Sequence, residues 1–406
     1  MQTTWMNVNV VIIGHVDHGK STLIGRLIYD SDSITEGRVE EIQELAEEYK
    51  KRFEFAYFLD SFDDEIKEER TIDTTKVIFK GKNLYTLTDV PGHKQFIKNM
   101  LTGASHADVA VLIVAADEGI LEQTRRHVFL IHLLGIKKLI VVINKMDVVG
   151  YSEDVFQNIK EELTIFLSSF GYLDLDFIPG SAMEGDNIYQ RSERMGWYHG
   201  ATFMEALDSL TLGKQDNPLR FLVQDIYTVE SERIVVGRVA SGVMKKGDDI
   251  IFQPSGSRGT VDRIMLFQGE LDQAEAGDSI GIMTSCEPKR GDVCGSMKYP
   301  PLVTHSFLGE AVLLSDKLSK GERLELRCGT QRVRCEVQEI LEKISSETNE
   351  VIGTHPDYIN EHEAASILFA TEPVVMEKFA DIPELGRFVL VRDKNIGAGV
   401  VLNIPG

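Results

Sequence analysis

The strongest constraint on this chain is a glycine-rich segment at residues 14–22, which reads GHVDHGKST and directly follows a mostly apolar run at residues 8–13. It fits the pattern G-x-x-x-x-G-K-[ST], and residues 23–28 continue it with apolar side chains at helical spacing. A strand that enters such a loop and a helix that leaves it aim backbone N–H groups and the positive end of the helix dipole at one place. The pattern therefore predicts a phosphate-binding loop for a nucleoside triphosphate.

Different residue types in this loop suit different parts of the nucleotide. The ammonium group of Lys20 is predicted to reach the outer phosphates, and the hydroxyl of Ser21 is placed to bind Mg²⁺. The glycines let backbone N–H groups wrap a phosphate. The loop residues that we assign to nucleotide binding are Gly14, Asp17, His18, Gly19, Lys20, Ser21 and Thr22.

A second segment indicates which base is bound. An apolar run at residues 139–143 leads into Asn-Lys-Met-Asp at residues 144–147. The Asp147 carboxylate can accept hydrogen bonds from the N1–H and the 2-amino group of guanine, whereas adenine would leave it unpaired. The residues predicted to select guanine are Asn144, Lys145 and Asp147. Ser181 and Ala182, which follow a shorter apolar run, are predicted to complete the base site with a backbone N–H.

A third segment, Asp-Val-Pro-Gly-His at residues 89–93, ends a strand-like run at residues 84–88. An aspartate at a strand end opposite a phosphate loop can hold Mg²⁺ through water, which is the role predicted for Asp89. Gly92 frees the backbone to approach a γ-phosphate. His93 then lies near the place of an attacking water, so we predict that it orients this water.

These segments, in this order and spacing, resemble those of the translational GTPases, and the likeness covers essentially the whole chain. The resemblance implies that the nucleotides are GTP and GDP, that Mg²⁺ is bound, and that residues 60–75 form a first switch in which Thr71 closes on the metal. The predicted catalytic residues are His93, Lys20 and Thr71. The predicted metal ligands are Ser21, Thr71 and, through water, Asp89.

The first switch departs from the family's pattern. The family has Gly-Ile before the threonine, whereas this chain has Arg70 directly before Thr71. The family's isoleucine forms an apolar gate in front of the catalytic histidine, and Val16 is the other half of that gate. The sequence leaves open whether Arg70 is exposed or approaches the phosphate, and whether Thr74 or Thr75 binds Mg²⁺ instead of Thr71.

Within this family, the chain most resembles the GTPase subunit, the large subunit, of two-subunit ATP sulfurylase. Residues 119–127, 134–137 and 147–153 carry this likeness, and Arg126 stands where elongation factors usually have glutamate. The resemblance implies that GTP hydrolysis drives the formation of adenylyl sulfate and diphosphate from ATP and sulfate. It implies as partner a separate catalytic small subunit, in a heterodimer or a larger assembly.

Two other functions stay open. One is a translation factor of elongation or release type that delivers an aminoacyl-tRNA or a protein factor to the ribosome, with the same fold and nucleotide. The other is a module that holds GTP and hydrolyses it slowly, as the altered first switch would allow. The formal net charge of −21 argues against general coating of nucleic acid, but leaves room for a local tRNA-binding patch.

The 406 residues predict more than one domain. The first half alternates apolar strand patterns with helical patterns, which predicts an α/β domain with a mostly parallel sheet and helices on both faces. After a polar linker, short strand patterns broken by glycines predict two small antiparallel β-barrels. The predicted boundaries are 1–213 for the GTP-binding domain and 217–300 and 303–406 for the barrels. No apolar run is long enough for a membrane span, and the N-terminus lacks a signal-peptide pattern, so we predict a cytoplasmic protein.

Overall fold

The phosphate-loop segment joins a strand to a helix, as the sequence predicts. A computed structural model describes residues 7–31, 55, 75–89, 107–173, 175–210, 217–229, 232–266, 269–345, 348 and 350–405. The chain divides into two compact units, Met1–Leu212 with Ser346–Asn349 and Gly213–Ser345 with Glu350–Gly406. Each unit has its own sheets and its own apolar core.

Six strands of the described residues form the central sheet of the first unit. Their spatial order is β2-β3-β1-β4-β5-β6, and all neighbours run parallel except β2 and β3. The strands are β1 (Asn7–Gly14), β2 (Thr75–Lys80), β3 (Leu84–Asp89), β4 (Val109–Ala115), β5 (Lys138–Asn144) and β6 (Asp176–Pro179). Every residue of β4 is buried, as expected for a strand that is covered on both faces.

Four helices of the described residues flank this sheet, and two of them have side-chain caps at their start. They are α1 (Lys20–Asp30), α2 (Glu122–Leu133), α3 (Glu153–Ser168) and α4 (Phe203–Ser209). At the start of α3, the Ser152 hydroxyl accepts from the backbone N–H of Val155. At the start of α4, Thr202 and Glu205 form a capping box. Apolar residues of α1 and α4 share one core with Val10 of β1, so this face of the sheet is closed by helices.

The second unit begins with a closed antiparallel barrel. Within the described residues, its strands follow the order β10-β15-β7-β8-β14-β11, and pairing of β10 with β11 closes the ring. The strands are β7 (Arg220–Val229), β8 (Glu232–Ser241), β10 (Asp249–Gln253), β11 (Arg258–Leu266), β14 (Ser279–Thr284) and β15 (Val293–Ser296). The short strand β12 (Gly269–Leu271) pairs with β11, while β9 (Val243–Lys245) and β13 (Gln273–Glu275) form a separate two-stranded sheet.

A second closed barrel completes this unit. Its order among the described strands is β18-β23-β24-β16-β22-β19, and β18 pairs with β19 to close it. The strands are β16 (Val303–Leu313), β18 (Arg323–Cys328), β19 (Gln331–Ile344), β22 (Ala364–Val375), β23 (Arg387–Val391) and β24 (Asn395–Asn403). The remaining elements are β17 (Leu318–Ser319), β20 (Val351–Thr354), β21 (Tyr358–Ile359) and the short helix α5 (Pro383–Gly386).

The predicted fold class, an α/β domain followed by two small antiparallel β-barrels, is confirmed. The boundaries 1–213, 217–300 and 303–406 stay a prediction. In the parts of the chain that the structure describes, no helix combines the length and the apolar character needed to cross a membrane.

Three buried phenylalanines form the centre of the second barrel. Phe307 stacks on Phe369 with ring centroids 5.0 Å apart, and Phe388 meets them edge-on at 5.1 and 5.5 Å. A Cβ atom at Gly399 would lie 2.3 Å from the carbonyl oxygen of Glu310 and 2.6 Å from Cζ of Phe388. Glycine at this position therefore lets β24 approach β16 beside the aromatic rings.

Replacing the central ring should destabilise the second unit strongly. We expect Phe369→Ala to lower its free energy of unfolding by about 3–5 kcal/mol, because a fully buried ring is replaced by a cavity. Leu402→Ala, on β24 of the same barrel and 42% exposed, is the matched control and should change the free energy of unfolding by less than about 1 kcal/mol. Urea unfolding of both variants gives the comparison, and equal losses would contradict the assigned core.

Candidate nucleotide site

The loop between β1 and α1 has three residues with positive φ angles, and two of them are glycines. Gly14, Gly19 and Asp17 have φ angles of 151°, 90° and 63°. A Cβ atom at Gly14 would lie 2.3 Å from the carbonyl oxygen of Ile113, and one at Gly19 would lie 2.3 Å from Nδ2 of Asn144. Since both distances are far below van der Waals contact, the loop backbone lies directly against the ends of β4 and β5.

Lys20 is held close to this loop. Its side chain is buried, and Nζ donates to the carbonyl oxygens of Gly14 at 3.2 Å and His15 at 2.7 Å. Burial lowers the pKa of the ammonium group, while the carboxylates of Asp89 and Asp17 act in the opposite direction. A cation that is largely removed from water attracts an approaching anion more strongly than an exposed one.

The two predicted magnesium ligands that the structure describes lie together. The Ser21 hydroxyl donates to Oδ2 of Asp89 at 2.8 Å, and Asp89 is buried. This hydroxyl and carboxylate fit Mg²⁺, which prefers oxygen ligands and keeps several waters. Among the described residues, no three His, Cys, Asp or Glu side chains form a metal cluster. The alternative ligand Thr75 is the Cα partner of Asp89 in the β2–β3 register, whereas Thr71 and Thr74 lie outside the described residues.

Asn144, at the end of β5, joins three loops through its side-chain amide. Nδ2 donates to the carbonyl oxygen of His18 in the phosphate loop at 2.8 Å. Oδ1 accepts from the backbone N–H of Ala182 at 2.8 Å. Since Asn144 is itself buried, these two hydrogen bonds bring the phosphate loop, the 144–147 segment and the 181–182 segment to one place.

The other base-site candidates lie around this junction. Lys145 has a left-handed backbone with φ of 61°, and its ammonium group lies 3.8 Å from Oε1 of Glu118. Asp147 is half-buried two residues further along the loop. Ser181 is fully buried, and its hydroxyl accepts from the backbone N–H of Glu184 at 3.1 Å. The 181–184 segment is therefore a turn fixed by its own serine.

The remaining predicted residues divide into two groups. Thr22 lies in the first turn of α1 and is half-buried. Gly92 and His93, assigned to sensing the γ-phosphate and orienting water, lie outside the described residues, as does Arg70. Their assignments stay predictions.

Comparison with known proteins identifies the family. The families described as "Elongation factor Tu GTP binding domain", "Elongation factor Tu domain 2" and "GTP-eEF1A C-terminal domain-like" match residues 6–212, 232–294 and 310–402. The chain is 41% identical to elongation factor 1-alpha of Methanothermobacter thermautotrophicus and 39% identical to that of Pyrococcus horikoshii, in each case over 98% of both chains. This chain belongs to the translational GTPase family.

The family resemblance predicted from the sequence is therefore confirmed for this translational GTPase. The closer likeness to the large subunit of ATP sulfurylase finds no support in these relatives, which are named as elongation factors. Among solved structures, the chain is similar to Sup35 complexed with GMPPNP, with 27% identity, coverage of 99% of this chain and 95% of that chain, and a TM-score of 0.47. A TM-score of 0.47 is too low to infer a function from this structural similarity.

His127 contacts the phosphate loop of this translational GTPase, although the sequence patterns indicate no role for it. It lies on α2, and its Nδ1 accepts from the backbone N–H of Gly14 at 3.3 Å. Burial, together with the nearby charge of Lys20, lowers the pKa of His127 to about 3. The neutral ring can therefore accept this hydrogen bond. The available signal was a histidine directly before the apolar residues 128–131, which does not by itself reveal a contact to the phosphate loop.

His18 is a second neutral imidazole in the loop. Its side chain is fully buried, and its Nδ1 lies 3.3 Å from the carbonyl oxygen of Ile113. Burial lowers the pKa of His18 to about 4, and the charge of Lys20 acts in the same direction. At neutral pH, Lys20 therefore supplies positive charge to the loop, while its buried neighbours His18 and His127 stay uncharged.

Removing the Asn144 amide should weaken nucleotide binding. Asn144→Ala removes two buried hydrogen bonds that join the loops, so we expect the affinity for GDP to fall about 10- to 100-fold. Asn403→Ala, at an exposed position of β24, is the control and should leave the affinity unchanged. Titration with a fluorescent GDP measures both, and equal affinities would show that the junction is dispensable.

The buried histidines should make the first unit less stable in acid. The pKa of His127 is lower in the folded chain than its ordinary value of 6.5, so the unfolded chain takes up the proton first as the pH falls. The destabilisation should begin near pH 6.5 and grow towards pH 3, by up to about 1.4 kcal/mol per pH unit. His127→Gln should reduce this slope between pH 6 and 4, although His15, His18 and Lys20 remain beside it. Chemical unfolding at several pH values measures the slope, and the exposed variant His305→Gln should retain the parent slope.

Proposed function

We propose that this chain is a GTP-dependent switch of the elongation-factor type, which binds an aminoacyl-tRNA in its GTP form and delivers it to the ribosome. The observation that carries the proposal is the identity of 39–41% to elongation factor 1-alpha chains over 98% of both partners. The convergence of the phosphate loop and the two base-site segments on Asn144 supports the nucleotide part of this function.

On this proposal, the phosphate side of the site neutralises and senses the γ-phosphate. Lys20 contacts the β- and γ-phosphates, because its ammonium group is fixed beside the loop. Ser21 and Asp89 hold Mg²⁺, Asp89 through water. The ion, when bound, neutralises charge on the phosphate oxygens. Thr71 would add a direct ligand from the first switch.

Hydrolysis and switching depend on residues of the second switch, which the family resemblance implies to start at Asp89. We assign to His93 the orientation of the attacking water and to the Gly92 backbone the sensing of the γ-phosphate, as the family resemblance implies. A module that holds GTP and hydrolyses it slowly stays an alternative hypothesis. It is based on Arg70 in the first switch, which lies outside the described residues.

On the base side, Asp147 accepts from the N1–H and the 2-amino group of guanine. Lys145, Ala182 and Asn144 complete the base pocket, and the Asn144 amide also holds the loops of the pocket together through two hydrogen bonds within the chain. Adenine offers no matching donor pair, so GTP is preferred over ATP.

Coupling to sulfate activation is the weaker candidate. It rests on residues 119–127, 134–137 and 147–153 and on the presence of Arg126. In the structure, Arg126 pairs with Glu122 one turn earlier on α2, at 2.6 Å. An intrahelical ion pair of this kind accounts for an arginine at this position without a partner subunit.

Protection of aminoacyl-tRNA distinguishes the two functions. The chain is loaded with a non-hydrolysable GTP analogue or with GDP, and hydrolysis of the aminoacyl ester is followed. We expect slower hydrolysis only with the GTP analogue, because only that state should bind the tRNA. At a nucleotide concentration that loads the parent chain but not a variant of weaker affinity, the protection of the aminoacyl ester should be lost in Asn144→Ala and retained in Asn403→Ala.

A lack of protection in both nucleotide states would contradict delivery of aminoacyl-tRNA. Co-purification of a protein that makes adenylyl sulfate from ATP faster when GTP is present would favour sulfate activation.

A further inference from the structure

The loop that carries Asp147 has an unusual backbone on both sides of that residue. Lys145 has φ of 61°, Gly150 has φ of 64°, and Tyr151 has φ of 58°. Glycine adopts this left-handed conformation freely, but a bulky residue such as tyrosine does so only when its surroundings enforce it. The conformation of Tyr151 therefore requires contacts that hold it.

Hydrogen bonds with three other residues hold Tyr151 at its backbone and its hydroxyl. Its backbone N–H donates to the carbonyl oxygen of Met146 at 2.7 Å, which closes the loop around Asp147. Its carbonyl oxygen accepts from Nε1 of Trp197 at 3.1 Å. Its hydroxyl accepts from Nη1 of Arg194 at 2.5 Å. Two of these three partners come from one distant segment of the chain, residues 194–197.

The same arginine also contacts the second base-site segment. Nη1 of Arg194 lies 3.3 Å from Oε2 of Glu184 and 3.3 Å from Oδ2 of Asp186. The Asp186 carbonyl oxygen accepts from the backbone N–H of Ser181 at 3.1 Å. Arg194 thus connects the loop after Asp147 to the turn that begins at Ser181.

Trp197 supports this connection by packing against the first unit's core. Its ring lies 5.3 Å from the ring of Phe156, which is buried at the start of α3. The ion pairs of Arg194 are half-exposed and contribute little individually, since water screens them. The indole hydrogen bond to the Tyr151 backbone is better shielded, so it should be the stronger of the two restraints.

We propose that Tyr151, Arg194 and Trp197 form a clamp that positions Asp147 for guanine recognition by fixing the loop after it to the turn at Ser181. The three are positioning residues, because they act on the base through the loop. The inference rests on the proposed guanine site and adds residues that set its selectivity.

The ratio of affinities for inosine diphosphate and GDP tests the clamp. Inosine diphosphate lacks only the 2-amino group, so the ratio reports the second hydrogen bond to Asp147. We expect the parent chain to prefer GDP about 10-fold or more. Trp197→Phe keeps an aromatic ring, though a smaller one, but removes the N–H donor, and Arg194→Ala removes the bridge. Each variant should narrow the preference about 3- to 10-fold, because a displaced carboxylate makes a poorer second hydrogen bond.

Two reference variants make the result interpretable. Arg191→Ala removes a nearby exposed arginine that pairs with Glu205 at 3.5 Å, and it should keep the parent ratio. Asp147→Ala should abolish the preference for GDP. Thermal unfolding of each variant tests whether it is folded at the binding temperature. If Arg194→Ala is not folded there, Trp197→Phe serves as the milder variant.

The outcomes separate the clamp from the function on which it rests. A narrowed ratio in Trp197→Phe, with the parent ratio in Arg191→Ala, supports the clamp. The parent ratio in both Trp197→Phe and Arg194→Ala, while Asp147→Ala loses the preference, overturns the clamp and leaves the guanine site standing. A parent chain without preference for GDP over inosine diphosphate overturns the guanine site and the clamp together.

Discussion

The site depends on one buried side-chain amide. Asn144 donates to the phosphate loop at the carbonyl oxygen of His18 and accepts from the backbone N–H of Ala182. Because the parallel strands β1 and β5 bring their carboxyl ends to the same edge of the sheet, a side chain at the end of β5 can reach both neighbouring loops. The glycine at position 19 is a consequence of this arrangement, since a Cβ atom there would lie 2.3 Å from the same amide. The backbone of the loop and the identity of the side chain at the end of β5 therefore constrain each other.

Burial controls the charge of the phosphate loop. The chain as a whole has a formal net charge of −21, which disfavours the approach of a triphosphate. The loop opposes this with a buried lysine, whereas the imidazoles of His18 and His127 stay neutral because burial lowers their pKa. A neutral His127 accepts the hydrogen bond of the Gly14 N–H, which a protonated ring could not do at Nδ1. One set of buried groups thus supplies both the positive charge and the fixed backbone that an anion site needs.

The parts of this site that could be predicted from the sequence are those with local patterns. Lys20, Asn144 and Asp147 belong to short motifs that follow apolar strands, and the α/β fold with two barrels follows from periodicity and glycine spacing. His127 and Arg194 could not be found in this way, because their partners lie 113 and 43 residues away in the sequence. The hypothesis of sulfate activation shows the opposite weakness. It relies on three short stretches of helix and loop, whereas identity over nearly the whole chain favours the elongation factors.

Thermodynamic linkage implies that the base side and the phosphate side of the site have different roles. A ligand shifts a conformational equilibrium only by the difference between its affinities for the two states, so a contact made equally in both states produces no switching. GTP and GDP carry the same base, and the base-site segments are held by bonds within the chain, from Asn144 to the contacts of Tyr151 with Trp197. On the proposed function, the base side therefore contributes selectivity and an affinity common to both nucleotides. Discrimination between GTP and GDP must arise on the phosphate side, where Ser21 and Asp89 meet and from which the second switch begins.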